Sequence, residues 1–312
     1  MTSTQGPPLV VLAAGMSTRY GRLKQVDPLG PCGAAIMDYN VYDAARAGFS
    51  EAVFVIREKI EEQVRAHVAE VIGDSFPTRF VLQGRSDLPE GYRTPPDRRK
   101  PWGTGHAVLA AAELVSGPFG VCNADDLYGA DAFQRLHAHL TKEPPTSEAA
   151  LVGYTLSETL SVSGVGGVAR GVCVMGRDQR LERVTEVREI RSVDGWISGV
   201  DPDGEVVELR GREIVSMNLW GFSDPVMATM KRQFRRFLDR WGANTEAEFL
   251  LSTAINGQIE TGSIGVTVLQ AEDEWFGVTH ANDRAEARAA LQERVEGGAH
   301  PEDLTAAFAS LR

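Results

Sequence analysis

The sequence predicts an α/β fold: a mixed, mainly parallel sheet flanked by helices, continuing into a more β-rich second half. Three observations point there. Through residue 140, short apolar runs alternate with amphipathic or charged stretches. The apolar runs lack the apolar/polar alternation of half-exposed strands, as strands covered by helices on both faces do. Beyond residue 146, β-type runs follow one another with fewer helical stretches between them.

Taken in order, residues 8–13 (PLVVLA) read as a buried strand, and 34–47 as a helix stopped by Gly48. A second strand is expected at 52–56 (AVFVI), then a charged amphipathic helix at 58–72 and a third strand at 79–82 (RFVL). Residues 86–101 are rich in proline and arginine and read as an exposed loop with solvated cations. A helix at 103–115, a strand at 118–123 (PFGVCN) and a helix at 130–140 follow. In the second half, 149–154, 171–175, 180–187 and 214–222 read as strands, with turn-rich segments at 164–167 and 201–204. Helices are expected at 224–239 and 245–255, a strand at 264–269, and helices at 283–294 and 302–310. Sheets of this kind bind ligands at the C-terminal ends of their strands.

The chain of 312 residues can bury a full core, and 43% hydrophobic with 24% charged residues is ordinary for a globular protein. No apolar run approaches the roughly 18–20 residues of a membrane span. Met1–Pro8 is polar and lacks the basic start and apolar core of a secretion signal, which predicts a cytoplasmic protein with no membrane partner. Cys32, Cys122 and Cys173 are too scattered for a disulfide framework or a zinc site and read as buried free thiols. A net charge of −11 argues against nucleic acid as a partner, yet allows a local basic pocket for a small anion.

The most informative stretch is VLAAGMSTRYGRLKQ, residues 11–25 less its leading apolar neighbours. Strand, glycine-containing loop and helix form a phosphate-binding layout, because loop and helix-start N–H groups face the anion. Ala13, Ala14 and Gly15 permit close approach, Ser17 and Thr18 add hydroxyls, and Arg19 and Lys24 bring a planar fork and a mobile point charge. It is not a Walker loop: five residues separate Gly15 from Gly21, and Arg22 follows. A plain strand-to-helix turn with two solvated cations is the alternative.

LAAGMSTRYGRLKQ resembles the N-terminal motif of the sugar-phosphate nucleotidyltransferase superfamily, LAAGxGxR followed by a lysine. The short Arg-to-Lys spacing is similar to the molybdopterin cytidylyltransferase branch. Ser17-Thr18 departs mildly from the more usual Gly-Thr or Gly-Ser. The resemblance covers roughly residues 8–280 and implies a Rossmann-like core of the nucleoside-diphosphate-sugar transferase type. It also implies catalytic roles for Arg19, Lys24 and Asp125, which together manage the leaving pyrophosphate and the metal. The nucleotide contacts it implies are Leu12, Ala13, Ala14, Gly15, Met16, Ser17, Thr18, Gln83, Gly103, Thr104 and Asn123.

Further stretches support this. Gln83 ends a predicted strand and can read a base edge; Gly103, Thr104 and Gly105 open a helix with Thr104 as a candidate cap. The VLQ and GTGHA pair is similar to that of N-acetylglucosamine-1-phosphate uridylyltransferases, but with the 86–101 insert between. The pair leans toward UTP or dTTP, with CTP possible. In VCNADDLYG, a buried strand delivers Asp125 and Asp126; the family pattern assigns the metal, Mg²⁺, to Asp125, leaving Asp126 to loop hydrogen bonds. His106 reads as a packing or capping residue rather than a base.

In the second half, Gly171, Glu186 and Asn218 stand where related uridylyl- and thymidylyltransferases contact the acceptor sugar, although Glu186 and Arg188 could equally form a structural ion pair. A second metal ligand is weak: Thr279, His280 and Asp283 are candidates, and Asp283 suits a helix start. The chain thus reads as one domain, 1–312, with a nucleotide-binding half (8–145), an acceptor-binding half (146–295) and a C-terminal helix (296–312). Its expected reaction joins an NTP to a phosphorylated small molecule, foremost a sugar 1-phosphate, releasing pyrophosphate. A nucleotide-sugar-dependent glycosyltransferase, or a catalytically silent nucleotide sensor, are the alternatives. Only pyrophosphate departure demands the Arg19/Lys24 loop. The sequence is silent on oligomeric state.

Overall fold

The structure, a computed structural model, describes residues 6–15, 23–142, 148–160, 167–278 and 283–311. The first half runs β1 (Leu9–Leu12), α1 (Ile36–Ala47), β2 (Ala52–Ile56), α2 (Glu61–Val71), β3 (Thr78–Leu82), α3 (Thr104–Ala110), β4 (Phe119–Asn123), β5 (Asp126–Leu127) and α4 (Ala130–Leu140). The second half runs β6 (Ala149–Thr155), β7 (Val168–Met175), β8 (Leu181–Val193), β9 (Trp196–Val200), β10 (Val206–Leu209), β11 (Ile214–Phe222), α5 (Asp224–Trp241), α6 (Leu251–Glu260), β12 (Val266–Gln270), β13 (Phe276–Gly277), α7 (Asp283–Glu296) and α8 (Leu304–Ala309).

Strands β4, β1, β2 and β3 form the parallel part of the sheet, with β3 at its edge and Val10 level with Val53 on one side and Val121 on the other. The absence of alternation in β1 has a direct cause. Leu9 and Val11 enter the core under α1, α2 and α4, while Val10 and Leu12 enter the opposite core with α3, α5 and α6. Burying each such side chain stabilises the fold by roughly 1.5–3 kcal/mol. The sheet is α/β and mixed, as expected. Antiparallel to β4 lies β11, whose far edge takes β6 with β12 beside it. Its near edge also takes β7, which leads through β8 and β9 to the edge strand β10.

Gly48 ends α1 in the left-handed region (φ 105°), and a Cβ there would meet His137 Nε2 at 2.8 Å. Among the described residues no helix is long and apolar enough to cross a membrane.

Several expectations need correction. The strand expected at 180–187 continues to Val193 and turns through Asp194 (φ 50°) and Gly195 (φ 83°) into β9. The helix expected from 245 begins only at Leu251, because the Asn244 side chain accepts from the N–H groups of Glu246 and Ala247 and holds a turn there. Cys32 is exposed, whereas Cys122 and Cys173 are buried. Arg98 is not a solvated cation of the 86–101 loop but 1% exposed. Its guanidinium donates to the carbonyls of Lys100, Pro101, Asn244 and Ala247 at 2.8–3.0 Å and stacks 3.6 Å from the Trp102 ring centroid. The insert is thereby clasped to the segment before α6.

Candidate active site

Adjacent parallel strands deliver the loops at their carboxyl ends to one place. After β1, Ala13 and Ala14 are buried, and the Gly15 carbonyl accepts from Gln25 Nε2 (3.1 Å) and Arg57 Nη2 (3.0 Å). Met16, Ser17, Thr18 and Arg19 lie outside the described residues, as do Thr279 and His280. Arg57, at the end of β2, escaped the sequence reading; burial lowers its pKa. It adds a cation beside the loop.

The chain re-enters with a 3-10 turn at Lys24–Val26. There the Lys24 ammonium forms an ion pair with Asp125, which directly follows the residue after β4, and lies 3.5 Å from the Val278 carbonyl. The Asp125 carbonyl accepts from the Val278 N–H at 3.1 Å. Three distant segments therefore meet around Asp125. Asp27, just past the turn, is tied to Arg284 of α7 at 2.8 Å, fixing the segment that carries Lys24. Helix α7 does begin at Asp283, as expected.

Asp126 does not turn away from Asp125's surroundings: both line one cavity of about 360 Å³. Asp126 pairs with Gly277 across β5 and β13, where a Cβ on residue 277 would meet Asp126 Oδ1 at 2.2 Å. Its Oδ2 accepts from Asn123 Nδ2 at 2.8 Å. Burial, and then the neighbouring Asp125 charge, push the Asp126 carboxyl up to about 7.

A gap in the sheet creates the cavity. On one edge of β11, Val215 and Ser216 pair with β7, while Trp220 to Phe222 pair with β4. Between them a bulge places Asn218 at φ 66°, an uncommon conformation for a non-glycine residue. Its amide is held: Oδ1 accepts from Trp220 Nε1 (3.1 Å) and Nδ2 donates to Asn123 Oδ1 (2.7 Å). Trp220, Asn218, Asn123 and Asp126 thus form a directed hydrogen-bond chain ending on a carboxylate.

Gly171 and Glu186 share this cavity wall with Asn218. A Cβ at 171 would meet Val184 Cγ1 at 2.7 Å, so strand packing also demands glycine there. Arg188 Nε pairs with Glu186 Oε1 at 2.9 Å on an exposed face. Arg170 and Trp275, which the sequence reading passed over, complete the wall.

Gln83, Gly103 and Thr104 also come together. The buried Gln83 amide donates to the Gly103 carbonyl at 2.9 Å and lies 3.3 Å from His106 Nδ1. His106 Nε2 is 3.0 Å from the Asp87 carbonyl, and burial lowers its pKa, which favours the neutral ring these contacts need. Thr104 does not cap its own helix: its hydroxyl accepts from the Leu251 N–H at 3.0 Å, at the start of α6.

Asp125 and Asp126 present hard oxygen donors side by side with one lysine between the loop and the pair. That donor set fits Mg²⁺, which binds through one or two carboxylates and takes phosphate and water oxygens for the rest. Among the described residues no group of three or more acidic, histidine or cysteine side chains could form a closed metal cage.

No family model matches the chain, and no curated protein matches its sequence. Solved structures do match its fold. One is an inositol-1-phosphate CTP transferase from T. maritima, at TM-score 0.61 and 13% identity, covering 94% of this chain and 98% of the other. Another is described as a glucose-1-phosphate thymidylyltransferase from Bacillus anthracis, at TM-score 0.60 and 11% identity, covering 92% and 95%. At such identities the likeness is one of fold.

Proposed function

We propose that this chain is a Mg²⁺-dependent nucleotidyltransferase that joins an NTP to a phosphorylated acceptor, foremost a sugar 1-phosphate. The observation that carries the reading is the contact between Lys24 and Asp125 beside Asp126. A cation on the loop after β1 and two carboxylates after β4 are what a triphosphate and its metal require. Both fold neighbours bear names of enzymes acting on a nucleotide and a sugar or polyol phosphate.

In this reading residues 8–145 bind the nucleotide and 146–295 the acceptor. An acceptor phosphate oxygen attacks the α-phosphorus. The bond from that phosphorus to the bridging oxygen breaks, and pyrophosphate leaves with the electron pair. A phosphate monoester is already anionic, so the site needs alignment and charge neutralisation rather than a strong base. Asp125 and Asp126 would hold Mg²⁺, which supplies positive charge to the phosphoryl oxygens. Lys24, with Arg19, neutralises the departing pyrophosphate. Gln83 and Gly103 bind the base, with UTP or dTTP favoured and CTP possible.

The test follows label. NTPs carrying a labelled α-phosphate are incubated with Mg²⁺ and a panel of sugar and polyol phosphates. Label should appear in a nucleoside diphosphate-linked product with one matched pair. Label confined to unreacted NTP across the panel would count against the reading.

A further inference from the structure

Among the described residues, the cavity wall that holds Asp125, Asp126 and Glu186 includes one cation, Arg170 of β7. A guanidinium has five N–H donors. Arg170 uses Nε on Thr159 Oγ1 (3.1 Å), Nη1 on the Ala169 carbonyl (2.9 Å) and Nη2 on the Thr159 carbonyl (2.5 Å). All three acceptors are neutral. Among the described residues no carboxylate forms an ion pair with it. Burial lowers its pKa, with the nearby Asp126 charge opposing. The group nevertheless stays protonated near neutral pH, so a largely desolvated charge lines the cavity with the Asp126 carboxyl near it but no carboxylate in direct contact.

Trp275 adds a second observation. Its ring lies 4.9 Å from the Arg170 guanidinium, fixing the fork by stacking. The indole Nε1–H is buried and, among the described residues, has no hydrogen-bond acceptor. Buried donors of this kind are costly unless something accepts from them. Two N–H groups of the guanidinium therefore remain for oxygen atoms of a ligand in this otherwise acidic cavity, while the indole N–H is sealed behind the wall.

We propose that Arg170, backed by Trp275, seats the phosphate of the acceptor. A phosphate monoester offers several oxygens to a planar fork and satisfies charge and donors together. Glu186, Asn218 and Ser252 on the same wall suit the hydroxyls of a polyol or sugar. The anion seat stands on the geometry alone; its assignment to the acceptor rests on the nucleotidyl-transfer reading.

The experiment has two arms. Inorganic phosphate is titrated by calorimetry into the wild-type protein, Arg170→Gln and Arg170→Lys, each first shown to melt cooperatively. Affinity should fall at least tenfold in Arg170→Gln and less in Arg170→Lys, which keeps the charge. If Arg170→Gln does not fold, the weakening in Arg170→Lys decides the arm. With a matched substrate pair, the acceptor KM should rise at least tenfold in Arg170→Gln while the NTP KM stays within twofold. Equal phosphate affinity in all three proteins would make Arg170 a structural clasp and overturn the proposal. So would affinity that falls in Lys24→Ala but holds in Arg170→Gln, since the anion would then sit at the loop after β1. Arg170-dependent phosphate binding without transfer from any NTP would support the seat and overturn the transfer reading instead.

Discussion

The ammonium of Lys24 donates to Asp125 Oδ2, joining the loop after β1 to the end of β4 across 101 residues of sequence. Both side chains are largely shielded, 17% and 23% exposed. In the proposed reaction this lysine and this carboxylate would exchange one another for a triphosphate and a metal.

Removing either charge should cripple turnover. We expect Lys24→Met and Asp125→Asn each to lose about 10²–10³ in rate, the usual cost of deleting one preorganised charge contact. Lys24→Met should also lower the melting temperature, because it leaves the Asp125 carboxylate without its ion-pair partner beside Asp126. Adding Asp125→Asn to it should restore most of that loss. Thermal melts of the three variants check this coupling.

Arg98 supports the fold rather than the chemistry. Arg98→Met would strand four partly buried carbonyls, and a carbonyl left unsatisfied costs up to about 1–3 kcal/mol. We expect a loss of about 3 kcal/mol or more in urea unfolding. Arg98→Lys should recover little of it, since an ammonium lacks the fork's geometry.

Asn218 separates backbone from side-chain roles. Glycine accepts its φ of 66° without strain, whereas alanine does not. Asn218→Gly should therefore be more stable than Asn218→Ala by about 1 kcal/mol. Both should lose activity alike, because both remove the amide between Trp220 and Asn123. Equal stability of the two variants would contradict the strained bulge.

His106 predicts an acid limit. Burial holds its folded pKa below the ordinary value of about 6.5. As pH falls below about 6.5 the unfolded chain takes the proton first, so stability is lost through the window down to the lowered pKa. His137 and His139, also lowered by burial, add to the effect. His67 acts oppositely: burial presses it down, but the Asp38 hydrogen bond and charge outweigh this, so its contribution fades as pH rises above about 6.5. Urea unfolding at about pH 7.5 and about pH 5.5 should show a shallower acid loss in His106→Leu than in the wild type.

What the sequence made legible follows from local physics. β1, β2 and β4 could be read because burial on both faces leaves an uninterrupted apolar run. Gly48 and the paired aspartates could be read because their chemistry is local. Arg98 could not, since two of its carbonyl partners lie 146 and 149 residues away. Nothing local singles out Arg57 or Arg170; only the fold places one at a loop carbonyl and the other in a cavity. The β8–β10 arm was partly missed because its exposed positions carry Glu and Arg, which mask a strand pattern. The bulge at Asn218 lies where one edge of β11 passes from β7 to β4, a pairing set by distant strands rather than by local sequence.

Pyrophosphate release tests the central claim most directly. Each NTP is assayed with Mg²⁺ against sugar 1-phosphates and other phosphomonoesters, in the wild type and in Lys24→Ala. The account predicts acceptor-dependent release with one matched pair, cut at least about 10²-fold in Lys24→Ala. Tight NTP binding with no release for any acceptor would contradict it and leave a nucleotide sensor on a transferase fold.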